Sequence, residues 1–383
     1  MDKPTVQDIF HRFYPAYLDQ YSPSPVQAKV AHNIMNCKTG AYGANVCVCE
    51  DCGFVQIHYN SCRNRCCPMC QAVPKEMWMD ARREDVLDAP YFHLVFTVPD
   101  ILNPVIYSNQ RLLYDALYHA ASSTISELTA DPKHLGAKVG YICILHTWGS
   151  EMNFHPHIHT ILLGGGLASN NQWRDNGENF FLPIRVISKM FRGKYLEELK
   201  RLWEEDKLVF HGTAEKFRNH YTFKELLDSC YGMDWIPHCK KTFNCAQTVI
   251  KYLGKYTHRI AVSNHRIVRM DDDTVTFLVK DYRNEGQWKE LTISGVEFVR
   301  RFLMHVPPRR FVRIRHYGLL CSRTKSQKLT LCRNLLGCKK YLSKLRDMEM
   351  PEILEHLYGI KVCVCKACGG HLGKPQMRMP LRC

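Results

Sequence analysis

This 383-residue sequence is informative first for what it lacks. No uninterrupted apolar stretch approaches the roughly 18–20 residues that a membrane-spanning helix requires. The opening segment Met1–Tyr21, MDKPTVQDIFHRFYPAYLDQY, is acidic and interrupted by prolines rather than charged and then apolar, which argues against a secretory leader. These absences predict a soluble, cytoplasmic protein in a reducing compartment, where cysteines do not form a disulfide framework. Internal repeats, low-complexity tracts and a helicase-type phosphate loop are also missing. The sharpest local absence is of acidic residues: Arg300–Arg346 contains none, beside 14 Lys and Arg.

The whole chain has 52 Lys and Arg against 37 Asp and Glu, a net charge of +15. Such an excess predicts a polyanionic partner, nucleic acid or an anionic membrane surface, through phosphate neutralisation and counterion release. Nearly all of it resides in Arg300–Arg346, which suggests one DNA-holding segment rather than a diffuse polycation. The length predicts two or three domains with ample core. Of the 19 cysteines, eight lie between Cys37 and Cys70, where clustering points to metal ligands.

Strands are expected at Tyr91–Val98 (YFHLVFTV), at Val139–Trp148 and His155–Leu163 as an antiparallel hairpin closed by Gly164–Gly166, and at Trp235–Phe243. Three more are expected at Ile267–Met270, Thr274–Lys280 and Lys289–Ile293. Helical spacing marks Lys75–Val86, Leu112–Leu128, Val186–Lys207 and Asn244–His258, with Asn244 as N-cap and a further turn or two at Tyr221–Leu227.

Cys49-x-x-Cys52 and Cys67-x-x-Cys70 have the spacing by which two sulfurs of one tight turn reach the same tetrahedral zinc, with Gly53 and Pro68 beside the turns. Together they are expected to form one four-cysteine site. Cys37, Cys62, Cys66 and His32 are the favoured second set, leaving Cys47 and His58 over. Closed sites of this type have no open position for a reacting group, so their zinc is structural. Arg63, Asn64, Arg65 and Lys75 around them are candidates for contacts to DNA backbone. Near the other end, Cys365-x-x-Cys368 is a candidate for another zinc with Cys363, His371 or Cys383.

In His155-Pro-His157-Ile-His159 the imidazoles recur every second residue, so an extended strand projects all of them from one face. Two neutral imidazoles at that spacing can chelate a divalent ion. His146, on the preceding strand, is the best-placed additional ligand. Tyr252-Leu-Gly-Lys-Tyr256 places two phenols on one helix face. Taken alone, this spacing is more often amphipathic packing than catalysis.

The combination resembles the HUH endonuclease superfamily, which nicks single-stranded DNA: His157-Ile-His159 matches its His-hydrophobic-His motif, and Tyr252 and Tyr256 match its nucleophile pair. More closely still, SCRNRCCPMCQ (Ser61–Gln71), FHLVFTVP (Phe92–Pro99), LHTWGSEMNFHPHIH (Leu145–His159), YLGKYTHRIAVSNHR (Tyr252–Arg266) and FVRRFLMHVPPRRFVRIRHYGLL (Phe298–Leu320) are similar to the IS91 family of insertion-sequence transposases. The likeness covers nearly the whole chain in the same order. Two positions depart from the family pattern, which has His at Cys66 and Gln at Glu151.

The resemblance implies a bacterial-type transposase acting on single-stranded DNA at transposon ends and on target DNA. Mg²⁺ or Mn²⁺ held by His157, His159 and a third ligand would polarise the scissile phosphate, and a tyrosine would attack it to give a 5′-phosphotyrosine link. For the third ligand, His146 ranks first, with Gln247 and Glu151 as alternatives. Lys255 is the cation nearest the phenols. Two tyrosines suit rolling-circle transposition, since one can hold a donor end while the other attacks.

In the basic segment, Arg300, Arg301, Arg309, Arg310, Arg313 and Arg315 are expected to track phosphates, with Phe302, Phe311, His316 and Tyr317 as stacking platforms. Competing readings are a zinc-dependent nucleic-acid-binding protein without catalysis and a plasmid-type rolling-circle replication initiator. The expected fold is α+β, an HUH endonuclease-like central antiparallel sheet with flanking helices. Residues 1–80 would form an N-terminal zinc-binding domain, 81–298 the catalytic domain, and 299–383 a basic C-terminal DNA-binding region with a zinc knuckle.

Overall fold

The computed structural model describes residues 3–175, 182–235, 237–243, 249, 254, 260–281 and 286–378. In chain order, α1 (Val6–Gln20) and α2 (Pro25–Met35) precede a hairpin of β1 (Ala44–Val48) and β2 (Val55–Tyr59). Then follow α3 (Ala72–Arg83), β3 (Tyr91–Thr97), α4 (Asn103–Ser108), α5 (Gln110–Ala130), β4 (Lys138–Trp148), β5 (Phe154–Leu167) and β6 (Trp173–Asp175). The second half contains α6 (Ile184–Glu204), α7 (His220–Gly232), β7 (His238–Phe243), β8 (Ile267–Met270), β9 (Thr274–Asp281) and β10 (Gln287–Ser294). It closes with α8 (Gly295–Met304), β11 (Ile314–Gly318), α9 (Lys325–Leu336), α10 (Met350–Tyr358) and β12 (Gln376–Arg378). The expected Asn244–His258 helix lies almost wholly outside the described residues.

The largest sheet has the order β11-β4-β5-β3-β7, with β6 on the far end of β5, and its described pairings are antiparallel. Strand alternation divides its two faces. Tyr141, Cys143, Leu145, Ile158 and Leu162 enter one core with Leu117 and Ile125 of α5 and Phe191 and Leu199 of α6. Ile142, Ile144, Ile161 and Leu163 join Tyr91 and Val249 on the other side. His146, His157 and His159 continue this second set by steps of two, so a register slip of one residue would bury them under the helices instead. Each fully buried Leu, Ile or Phe contributes about 1.5–3 kcal/mol, which makes that slip costly.

The glycines Gly164–Gly166, expected to close the hairpin, lie inside β5. A Cβ at Gly165 would overlap the Trp173 ring, and one at Gly166 would overlap the Lys138 carbonyl. Missing side chains there let β6 and β4 approach, so the strand continues.

A separate core joins the chain's beginning to its second half. Ile9, Phe10 and Phe13 of α1 and Ile34 of α2 pack with Phe277 of β9 and with Phe298 and Phe302 of α8. The Phe10 and Phe302 rings meet edge to face at 5.2 Å. Thr5 and Asp8 form a capping box for α1, and Pro15 is tolerated within it. The proline costs about 3 kcal/mol in a helix interior, less than the burial of this aromatic face returns.

Packing therefore does not follow the linear division at residues 80 and 298. The first helices pack on Phe298 and Phe302, β11 of the basic region is an edge strand of the largest sheet, and β12 pairs with β1. Among the described residues, no helix is long and apolar enough to cross a membrane.

Candidate active site and metal centres

On the second face of the sheet, His146 and His157 are directly opposed across β4 and β5, and His159 follows at the next inward position. One nitrogen from each of these imidazoles lies within 4.8 Å of the others, and all three residues are buried. His157 Nε2 and His159 Nε2 are 3.0 Å apart. Two nitrogens on adjacent vertices of an octahedron with bonds of about 2.1 Å are separated by about 3 Å, so the pair fits a divalent ion.

The far nitrogens are occupied in the manner of metal-bound histidines. His157 Nδ1 donates to the His155 carbonyl at 2.7 Å, and His159 Nδ1 shares a hydrogen bond of 2.8 Å with His93 Nε2. Such partners set the tautomer and turn Nε2 inward. Burial lowers the pKa of His157 to about 4 and that of His159 well below its ordinary value, so both stay neutral, the ligating form. His146 stacks on Trp148 with ring centroids 4.6 Å apart. His93 carried no sequence signal beyond its place in YFHLVFTV, because only the pairing of β3 with β5 brings it beside His159. Glu151 is instead on the outer loop, 4.0 Å from Lys289 and 3.5 Å from Asn153. Tyr252, Lys255, Tyr256 and Gln247 lie outside the described residues.

The thiols regroup relative to the spacing argument. Cys37, Cys62, Cys67 and Cys70 form one cluster, and Cys49, Cys52, Cys365 and Cys368 another, each with its sulfurs within 4.8 Å. The expected union of Cys49 and Cys52 with Cys67 and Cys70 fails because Cys49 and Cys52 occupy the tip of the β1–β2 hairpin. Cys37, Cys62, Cys67 and Cys70 lie at its base, and the five-residue strands separate tip from base by about 15 Å. Cys66 is buried but outside the cluster, where Arg65 and Arg313 are its charged neighbours. His32 is exposed on α2 with Nδ1 3.3 Å from Asn36.

Tetrahedral zinc–thiolate bonds of about 2.3 Å put sulfurs about 3.8 Å apart. Cys62 and Cys70 are separated by 3.8 Å, so the first cluster fits such an ion. Hydrogen bonds shared among these thiols pull them in opposite directions, with Cys62 and Cys67 lowering the Cys70 pKa and Cys62 and Cys70 raising that of Cys67. A cation would remove that conflict by letting all four ionise.

The basic segment is not one solvent-facing stripe. Arg300 and Arg301 both pair with Glu297, at 2.5 and 2.7 Å, and Arg301 also donates to the Glu151 carbonyl. Arg313 is buried beside Trp148, and Arg315 pairs with Asp115 and lies 4.0 Å over the Tyr118 ring. Arg309 and Arg310 are exposed. The expected stacking aromatics are packing groups instead: Phe302 and Phe311 are buried, Tyr317 stacks on Tyr141 at 5.2 Å, and burial lowers the His316 pKa to about 4. These side chains complete cores that the acid-free composition does not reveal. Arg309 and Arg310 border a cleft of roughly 250 Å³ with Lys29, Asn64 and Arg65.

The described residues thus form an α+β chain whose antiparallel sheet bears clustered imidazoles and whose thiols gather in two groups of metal-ligand type. Residues 9–98 match the family described as "Transposase zinc-binding domain", and residues 140–328 match the family described as "Putative transposase". A Sinorhizobium fredii protein, "Putative transposase y4qJ", is 40% identical over 95% of this chain and 93% of its own length. The "Transposase for insertion sequence element IS801" of Pseudomonas savastanoi pv. phaseolicola is 28% identical over 79% of this chain and 72% of its own length. The chain belongs to the IS91 family and is a DNA transposase. A metal-free conjugative relaxase, TrwC, in complex with its origin DNA aligns over 45% of this chain and 68% of its own, at 15% identity and a TM-score of 0.22, a likeness too slight to carry argument.

Proposed function

We propose that this transposase nicks and rejoins single-stranded DNA at insertion-sequence ends, in rolling-circle transposition, through a 5′-phosphotyrosine link. The observation that carries the reading is the convergence of His146, His157 and His159 on one sheet face, with 3.0 Å between the Nε2 atoms of the last two. These three imidazoles would hold Mg²⁺ or Mn²⁺. When bound, the ion supplies Lewis-acid polarisation of a phosphate oxygen and neutralises charge gathering there.

The chain's own groups do the rest. His93 and the His155 carbonyl hold the ligand rings in orientation. Tyr252 or Tyr256 attacks phosphorus and releases a 3′ hydroxyl, and a later 3′ hydroxyl reverses the step, so strands join without ATP. A free phenol has a pKa near 10, and Lys255, between the tyrosines in sequence, is assigned to favour its ionised form. What supports this placement is that Val249 packs in the cluster of Ile144 and Ile161, on the histidine face, and that Gly254 adjoins Met79 of α3. Cys37, Cys62, Cys67 and Cys70 are assigned to one structural zinc. Arg309 and Arg310, with Lys29 across the cleft, are assigned to DNA phosphates.

A nicking assay on single-stranded element ends tests the mechanism with Tyr252→Phe, Tyr256→Phe and the double variant. The double variant is expected to form no protein–DNA adduct, and EDTA is expected to abolish nicking until Mg²⁺ or Mn²⁺ is restored. An adduct formed by the double variant would refute the tyrosine assignment.

A further inference from the structure

The second thiol cluster joins residues more than 300 positions apart. We infer that Cys49, Cys52, Cys365 and Cys368 form a single zinc site that staples the two ends of the chain into one module. The inference stands independently of the nicking mechanism, because no group of the histidine site enters it.

The two knuckles share two main-chain bonds at the same offsets. Gly53 N–H donates to the Cys49 carbonyl and Gly369 N–H to the Cys365 carbonyl, both at 3.0 Å. Cys49 N–H donates to the Phe54 carbonyl at 2.9 Å, and Cys365 N–H donates to the Gly370 carbonyl at 2.8 Å. Gly53 and Gly369 both adopt left-handed φ, +73° and +78°, which ends each turn at no steric cost. Backbone amides also point at sulfur: Ala367 N–H to Cys365 and Gly370 N–H to Cys368, both at 3.4 Å. Donors of this kind support thiolates that bind a metal.

The knuckles face one another. Cys49 and Cys368 sulfurs are 3.5 Å apart and those of Cys52 and Cys365 3.8 Å, close to the tetrahedral edge of about 3.8 Å. Main-chain bonds tie them together: Glu50 N–H to the His371 carbonyl at 3.1 Å and Gly373 N–H to the Val48 carbonyl at 2.9 Å. Beyond them, β12 pairs with β1. Among the described residues, the apolar core beneath is Cys47, Cys49, Cys365 and Leu372. So small a core cannot hold such a module by burial alone, which is the situation a structural metal remedies. Four thiolates close the coordination shell, so the ion has no reactive position. Of the other C-terminal candidates, Cys363 is exposed and His371 faces Glu50 at 3.4 Å, both apart from the cluster, and Cys383 lies beyond the described residues.

Zinc content of the purified full chain tests the sharing. Cys49→Ser/Cys52→Ser, Cys365→Ser/Cys368→Ser and the fourfold variant should each bind one zinc fewer than the parent. Loss of two by the fourfold variant, or of none by the Cys365→Ser/Cys368→Ser pair, would overturn the shared site. A second measurement needs no variant. Cys52, Cys368, Cys321 and Cys363 are all exposed. In the zinc-loaded protein, alkylation mapped by mass spectrometry should modify Cys321 and Cys363 but spare Cys52 and Cys368. Stripping zinc should expose Cys52 and Cys368 together. Alkylation of Cys368 at the rate of Cys363 in the loaded protein would refute the proposal.

Discussion

The histidine centre and the terminal thiol centre both gather ligand-type side chains, yet they are supported in opposite ways. His146, His157 and His159 lie within one hairpin on rigid strands, backed by a core that includes Leu145, Ile158 and Phe191. Cys49, Cys52, Cys365 and Cys368 lie on tight turns over a core of four residues, brought together from opposite ends of the chain. The first site has its geometry paid for by the sheet before any ion arrives. The second has little core, and the pairing of β1 with β12 and a few main-chain bonds join its two turns. A reacting centre benefits from such preorganisation, whereas a structural one can let the metal do the folding.

Removing zinc should separate the two most sharply. Structural zinc stabilises small modules by about 10 kcal/mol or more, so chelation is expected to abolish hydrogen-exchange protection in β1, β2 and β12 while β3, β4 and β5 keep theirs. Equal loss in both regions would break the comparison. Next in size, His157→Ala and His159→Ala should reduce nicking by about 10³-fold, with circular dichroism showing the sheet intact. His93 meets the outer nitrogen of His159, so His93→Ala should weaken Mn²⁺ binding by about 10–100-fold in a direct titration. Unchanged affinity would remove His93 from the orienting role. Smallest is the effect at the cleft: replacing Arg309 and Arg310 by Ala should lower the salt slope of DNA binding by about 2 and leave zinc content unchanged.

Much of the sheet was legible from local pattern. The apolar runs at Tyr91–Val98 and Val139–Trp148 became β3 and β4, and the alternation in His155–His159 put two imidazoles on the predicted face. Glycine misled where it served packing: the run Gly164–Gly166 reads as a terminator, but Trp173 and the Lys138 carbonyl occupy the space its side chains would need. The first helix was hidden because Pro15 weakens its local signal, while its stabilising partners, Phe298 and Phe302, lie far along the chain. The basic segment misled for a related reason. Composition counts charges without their partners, and Glu297, just before the acid-free stretch, and Asp115, on α5, pair with three of its arginines.

By itself, the sequence determined the short-range devices: two-residue strand periodicity for the histidines and the Cys-x-x-Cys turns with their following glycines. A few bonds and backbone preferences suffice for each of these. Only the tertiary structure decided which turns stand together, which imidazole backs another, and which arginines reach solvent. Those outcomes depend on long-range strand pairing and on burial, and neither is written in the spacing of neighbouring residues. Cys49 has Cys52 as its local partner by spacing, but it meets Cys368 only because β12 returns to β1.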